Sequence, residues 1–268
     1  MRRFKQLALF LVLLPLFSFL SGRPARALSP QRPLVTLSPE VVEAGSPVLI
    51  RVHLEGVATI DGEWLGRKLE FFCGRDGCSW FALAGVDVEA PVGPSTLRIS
   101  VKLAKGGTRD LSRNVEIHAA HYRTSSLTVE PQFVTPGPEA LKQIEADKQL
   151  KEKVFGASAS EPLWAGDFRA ATGTPVKAGN SGVVVLARPL YYEGNFVVID
   201  HGLGLYTLSM HLSRIDVQEG QRVATGDLLG LSGATGRATG PHLHWAIRWQ
   251  DTYLDPAKLL RLDLSKVR

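Results

Sequence analysis

The chain is poor in sulfur, with two cysteines and two methionines in 268 residues. So few cysteines exclude a disulfide-dense scaffold and a thiolate metal framework. The two that exist lie close together in Cys73-Gly74-Arg75-Asp76-Gly77-Cys78, where two glycines favour a tight turn. They are expected to form a disulfide closing a hairpin tip in an exported protein, since the surroundings offer no partners for a two-cysteine zinc site. Long apolar runs are also missing. Beyond residue 27 no stretch approaches the ~20 apolar residues of a membrane helix, so no membrane span is expected after signal cleavage.

Residues 1–27 carry the signs of a secretory signal peptide: Arg2, Arg3 and Lys5, then an apolar stretch from Leu7 to Leu20, then Ala25-Arg26-Ala27 as a cleavage signal. No cysteine stands at the end of this leader, so a lipid anchor there is not expected. The chain is expected to be exported, to the periplasm, cell envelope or exterior. Charge imbalance is the third absence. The leader's basic residues Arg2, Arg3, Lys5, Arg23 and Arg26 account for the whole formal net charge of +5, and the remainder is close to neutral. A nucleic-acid partner therefore has no electrostatic support.

What is present reads as mainly β, in two parts. Over residues 28–119 short strands alternate with turns, which predicts an immunoglobulin-like β-sandwich. Its clearest strand is Leu97-Arg98-Ile99-Ser100-Val101-Lys102-Leu103, with the apolar members on one face. Residues 120–156 read as a linker holding a helix over about 138–153. Pro138 stands in its first turn, acids come early and bases late, and Leu141, Ile144 and Val154 form a thin apolar stripe. From 157 to 268 glycine-bounded strands succeed one another in an antiparallel β domain. Four of the seven histidines, His201, His211, His242 and His244, fall there.

The informative stretch is Thr239-Gly240-Pro241-His242-Leu243-His244-Trp245. With Leu243 extended, His242 and His244 share a face. Two adjacent imidazoles can divide metal binding and proton transfer, or can simply be surface residues at a sheet edge. Other segments decide between these. Gly173-Thr174-Pro175-Val176, Val198-Ile199-Asp200-His201-Gly202, Met210-His211-Leu212-Ser213, Gly220-Gln221-Arg222-Val223 and Gly233-Ala234-Thr235-Gly236-Arg237 precede Gly240-Pro241-His242-Leu243-His244. In that order, over about residues 165–260, they resemble the lysostaphin/LytM-type zinc metallopeptidases of bacterial peptidoglycan.

The resemblance implies a Zn²⁺ cofactor, with Asp167 and His244 at positions of family metal ligands and His211 and His242 beside the metal-bound water. Such a site has three N/O ligands and an open position for water, with imidazoles to take its proton and steady the oxyanion. The chain departs from the pattern in one important place. The family's first ligand, a histidine four residues before the aspartate, is Leu163 here, and a leucine has no lone pair to offer. The preceding Phe155-Gly156-Ala157-Ser158 is a remnant of a longer family segment, and Ser209 stands where an aromatic is common. His201, at a strand end, is the nearest substitute donor in sequence but has no ligand role in the family.

Three functions follow as expectations. The first is an exported zinc endopeptidase acting on the peptide cross-links of peptidoglycan, impaired by loss of one ligand. The second is an inactive LytM-type domain that binds cell wall or activates another wall hydrolase. The third is a biotinyl- or lipoyl-type carrier, suggested by Thr174-Pro175-Val176-Lys177-Ala178 and by residues 220–227. It is disfavoured because no lysine lies between Lys177 and Lys258 to serve as the modified residue.

Overall fold

The computed structural model of the protein describes residues 34–124, 128–164, 175–264 and 267. The expected leader and Asp167 lie outside the described residues. The N-terminal part comprises β1 (Val35–Ser38), β2 (Val42–Glu43), β3 (Pro47–His53), β4 (Val57–Trp64), β5 (Arg67–Leu69), β6 (Phe71–Cys73), β7 (Ser79–Gly85), β8 (Gly93–Leu103) and β9 (Thr108–His118). They form two sheets, β1-β3-β7-β6 and β2-β9-β8-β4-β5. The two-residue period of the sequence is realised in the packing. Val48, Ile50 and Val52 of β3 and Leu97, Ile99 and Val101 of β8 are all buried in one shared core.

The hairpin tip differs from the expectation. Cys73 and Cys78 are both free thiols, and the Cys73 Sγ–H contacts the Gly74 carbonyl oxygen at 3.3 Å. The β6–β7 register pairs Cys73 with Trp80, so the two cysteines are not directly opposite one another. Asp76 holds the turn in their place. Its carboxylate accepts from the Cys78 N–H at 3.0 Å, the Ser79 N–H at 2.7 Å and the Ser79 hydroxyl at 2.6 Å. These bonds, the Ser79 hydroxyl foremost, pull its pKa down to about 2.

Two helices follow, α1 (Pro131–Val134) and α2 (Pro138–Phe155). The second matches the expected connector helix and runs two residues further. Its contacts differ from the expected stripe. Leu141 is exposed, whereas Leu150, Val154 and Phe155 pack on the C-terminal sheet. Asp147 is buried and accepts from the Tyr191 N–H at 2.7 Å, which fastens α2 to the hairpin turn between Leu190 and Gly194.

The C-terminal part consists of β10 (Pro175–Lys177), β11 (Gly182–Leu190), β12 (Gly194–Asp200), β13 (Leu205–Ile215), β14 (Arg222–Val223), β15 (Leu228–Ser232), β16 (His244–Trp249), β17 (Thr252–Leu254) and the short helix α3 (Pro256–Leu259). The sheet order is β10-β15-β13-β12-β11-β14, with β16 on β13 and β17 on β16. The long strand β13 organises it. Leu205 to Met210 pair with β16, while Leu212 to Ile215 pair with β15. His211 is the residue at which β13 changes partner. The segment 233–243 connects β15 to β16 and so leaves the sheet at this fork.

The β16–β17 hairpin rests on the N-terminal sandwich. Trp249, Leu254 and Leu259 belong to the same buried cluster as Val48, Leu83 and Val86. Polar ties surround that contact: Asp255 N–H to the Gly45 carbonyl at 2.9 Å, Lys258 Nζ to the Ala44 carbonyl at 2.7 Å, and Thr252 Oγ1 to Asp87. Among the described residues no helix is long and apolar enough to cross a membrane.

Candidate active site

A cleft of about 620 Å³ opens at the β13 fork, with His211, His242 and His244 on its wall. The ring centroids of His211 and His242 are 5.0 Å apart, and those of His211 and His244 are 5.8 Å apart. The His-x-His alternation is as expected. Leu243 packs inward against the cluster that contains Val176, Val184 and Leu212, and the two histidines line the cleft. His242 is set by an isolated bridge to Gly233, and His244 opens β16 opposite Met210.

His211 needs a special backbone to join them. Between the pairs Asn195–Leu212 and Val197–Ser209, the single residue Phe196 of β12 faces both Met210 and His211 of β13. This is a β-bulge, and His211 has a positive φ of 60°. Bulges re-aim side chains, and a non-glycine residue in the left-handed region is held there only by its surroundings. The holding group is Thr235. Its carbonyl accepts from His211 Nδ1–H at 2.8 Å, its hydroxyl donates to the Leu212 carbonyl at 2.8 Å, and the same hydroxyl accepts from the Asn195 N–H at 2.8 Å. Thr235→Val keeps the shape and removes both hydroxyl bonds. It should lower stability by about 2 kcal/mol in urea unfolding, and Thr235→Ser should recover most of that loss. Equal stability of the valine variant and the parent would refute the bracing role.

The hydrogen bonds also fix the tautomers. His211 donates Nδ1–H to Thr235 and His242 donates Nδ1–H to the Gly240 carbonyl at 2.8 Å, which leaves each Nε2 as an acceptor. Burial lowers the pKa of His211, opposed by its bond to the Thr235 carbonyl. Burial likewise lowers that of His244, reinforced by the neighbouring His211 and His242. Neutral imidazoles with a free Nε2 suit proton acceptance and ligation alike.

Of the residues singled out in the sequence, His211, His242 and His244 are brought together. Leu163 is not with them. Its N–H donates to the His201 carbonyl at 2.6 Å, beside the Asp200–Tyr206 end of the β12–β13 ladder. From Tyr206 to His211 is five residues of strand, roughly 16 Å at the usual rise. The next residue, Trp164, is fully buried in the shared core, which anchors this segment where it is. His201 is also remote from the cleft. It is buried, with Nδ1–H donating to the Ser181 carbonyl at 2.7 Å and Nε2 accepting from Thr207 Oγ1 at 2.9 Å. Both nitrogens are occupied, so its role is structural.

The sequence reading missed Tyr192, Glu193 and Arg237, which line the same cleft. Glu193 pairs with Lys151 at 2.5 Å, and its other carboxylate oxygen is buried without a hydrogen-bond partner. Its carbonyl accepts from the His211 N–H at 2.8 Å. The only sequence signal was position: Tyr192 and Glu193 immediately precede the glycine that starts β12. A catalytic zinc site takes three protein ligands and keeps a fourth position for water. Among the described residues no group of three His, Cys, Asp or Glu is arranged to hold a metal. The described residues therefore supply His244 but not the full ligand set that the sequence resemblance implies, and Asp167 lies outside them.

The model of peptidase family M23 matches residues 163–256. Over 81 residues the chain is 52% identical to the peptidoglycan DD-endopeptidase ShyA of Vibrio cholerae serotype O1, covering 30% of this chain and 19% of that protein. Over 161 residues it is 35% identical to ShyB of the same organism, also a peptidoglycan DD-endopeptidase, covering 60% of this chain and 37% of that protein. The chain thus spans about a fifth to two fifths of the length of these relatives. A Pseudomonas aeruginosa crystal structure, provisionally described as a peptidase M23, superposes with a TM-score of 0.59 at 27% identity. It covers 82% of this chain and 96% of that one, so the likeness reaches beyond the cleft-bearing sheet.

Proposed function

Since residues 163–256 are a peptidase family M23 domain, we propose that this protein is exported by its leader and acts in the cell envelope as an endopeptidase on the peptide cross-links of peptidoglycan. The observation that carries the reading is the convergence of His211, His242 and His244 on one cleft, by way of a bulge and a fork in β13. The peptidoglycan DD-endopeptidases among its relatives supply the substrate class. In the cleft His242, with Nδ1–H held by Gly240, is the proton acceptor, and His211, fixed by Thr235, lines the reacting carbonyl. The family and its relatives named as metalloproteases imply a metal, generally zinc. In this chain Asp167 and His244 are two of the expected three ligands, and the third is lost.

That loss supports a second reading, in which the cleft binds wall peptides without cutting them and serves another wall hydrolase. Its specific support is the position of Leu163, held at the far end of the β12–β13 ladder by His201. Purified protein incubated with peptidoglycan sacculi and zinc separates the two. The endopeptidase reading expects release of muropeptides and a drop of about 10²- to 10⁴-fold in that release for His242→Ala. Sedimentation with sacculi and no release with or without zinc would leave only the binding role. Leu163→His alone should not raise zinc content, because the side chain would stand well away from His244.

A further inference from the structure

Among the described residues the cleft carries one arginine that no carboxylate neutralises. Arg237 lies on the cleft wall with its guanidinium 4.7 Å above the centre of the Tyr192 ring. Two other arginines of this sheet are paired with carboxylates: Arg188 with Glu219 at 2.7 Å and Arg214 with Asp216 at 2.6 Å. Among the described residues the Arg237 guanidinium has no carboxylate partner. The nearby carboxylate, Glu193, is already committed to Lys151.

Its position is built into the backbone. The Arg237 N–H donates to the Tyr192 carbonyl at 2.8 Å, which ties segment 233–243 to the turn before β12. Two glycines make the approach possible. Gly194 and Gly236 have φ of 64° and 68°, and a Cβ on either would overlap the facing backbone: the Thr235 carbonyl for Gly194, and Gly194 N and the Tyr192 carbonyl for Gly236. The same Thr235 braces His211. The guanidinium and the imidazole therefore share one rigid support, and a substrate group held by Arg237 is placed relative to His211. Stacking on Tyr192 holds the planar fork while its N–H edges stay available for a carboxylate.

We propose that Arg237 is a specificity-determining residue that binds a substrate carboxylate beside the scissile amide, with Tyr192 as its platform. The proposal rests on the peptidoglycan reading above and deepens it. In a D,D-peptide the carbon bearing the scissile nitrogen also bears a carboxylate, whether the bond is terminal or part of a cross-link. A cation fixed next to the histidines recognises that group in both and discriminates against amides lacking it.

The test is binding, so it does not depend on turnover. The full-length protein is titrated with a stem pentapeptide ending in D-alanyl-D-alanine and with the same peptide as its C-terminal amide. The acid should bind about tenfold more tightly, the size expected of a charge-assisted hydrogen-bonded pair. Arg237→Gln should bind acid and amide alike, at the affinity the parent shows for the amide, with an unchanged melting temperature. Arg237→Lys should keep part of the preference, and its complete loss there would overturn the electrostatic assignment. Equal binding of both peptides by the parent, or a preference surviving in Arg237→Gln, would overturn the proposal and leave the peptidoglycan reading standing. Binding of neither peptide would remove that reading and the proposal together.

Discussion

Acidifying this protein from pH 6.5 to pH 4 should cost about 3 kcal/mol of stability through one residue, His201. The ring is fully buried, and burial lowers its pKa to about 4 despite the bond to the Ser181 carbonyl. In the unfolded chain it titrates near 6.5. Above pH 6.5 neither state carries the proton, so His201 contributes no pH dependence. Below 6.5 the unfolded state takes up a proton that the folded state refuses, so stability falls as pH falls. The slope approaches 1.4 kcal/mol per pH unit and flattens once the folded-state pKa is passed. The strongly lowered carboxylate Asp76, at about 2, titrates below this window. Urea unfolding at half-unit pH intervals should show the decline. His201→Gln, which retains a donor and an acceptor but no titration, should remove the larger part of it between pH 6.5 and 4, the lowered pKa values of His211 and His244 supplying the remainder. An unchanged slope in that variant would assign the acid sensitivity elsewhere.

His201 also shows what the sequence could and could not reveal. As a histidine in a glycine-bounded strand region, it was open to assignment as a replacement ligand. Its role as a buried neutral strut depends on Ser181 and Thr207, whose approach is a consequence of sheet pairing. The readings that held were periodic ones. Alternation in β8 gave a face of the sandwich, and alternation through His242-Leu243-His244 gave the cleft face. Proline and charge order marked α2. Relations between distant segments were not legible. Nothing local to Met210-His211 signals a bulge, because the extra residue is defined only against Phe196 on the neighbouring strand. Arg237 read as one letter of a turn-rich motif until Tyr192 was seen beneath it. Leu163 was legible as a residue unable to ligate, but its separation from the histidines appears only once its bond to His201 is known. The cysteine pair shows the same limit. A five-residue separation with two glycines between is compatible with a bridge, but the strand register sets which side chains lie opposite one another.

Trp249→Ala should destabilise both halves of the described structure at once, by about 4 kcal/mol. Trp249 is fully buried at the end of β16, and its neighbours in the shared core come from the sandwich as well as from β17 and α3. Gly85, the last residue of β7, is glycine because a Cβ there would stand 2.9 Å from the Trp249 ring and 2.7 Å from Leu254. Removing the indole leaves a cavity bounded by two separately formed sheets. Such cavities collapse poorly, and tryptophan-to-alanine changes in cores cost about 3–5 kcal/mol. For a protein of this size the expected fall in Tm is about 10 °C. Trp249→Phe is the informative control. The buried Nε1–H of Trp249 has no hydrogen-bond partner, so the phenyl ring loses packing area but no polar contact and should cost about 1 kcal/mol. Hydrogen exchange locates the damage. Because Leu205 of β13 and Ile247 of β16 share this core with the sandwich, amides of β3 and β7 should lose protection together with those of β12 and β13 in the alanine variant. If β12 and β13 kept their full protection while β3 and β7 lost theirs, the contact at Gly85 would be a docking of independent modules, and the cleft would owe nothing to the sandwich. Joint loss would mean that the sandwich holds β16 in place, and with it the start of the strand at His244.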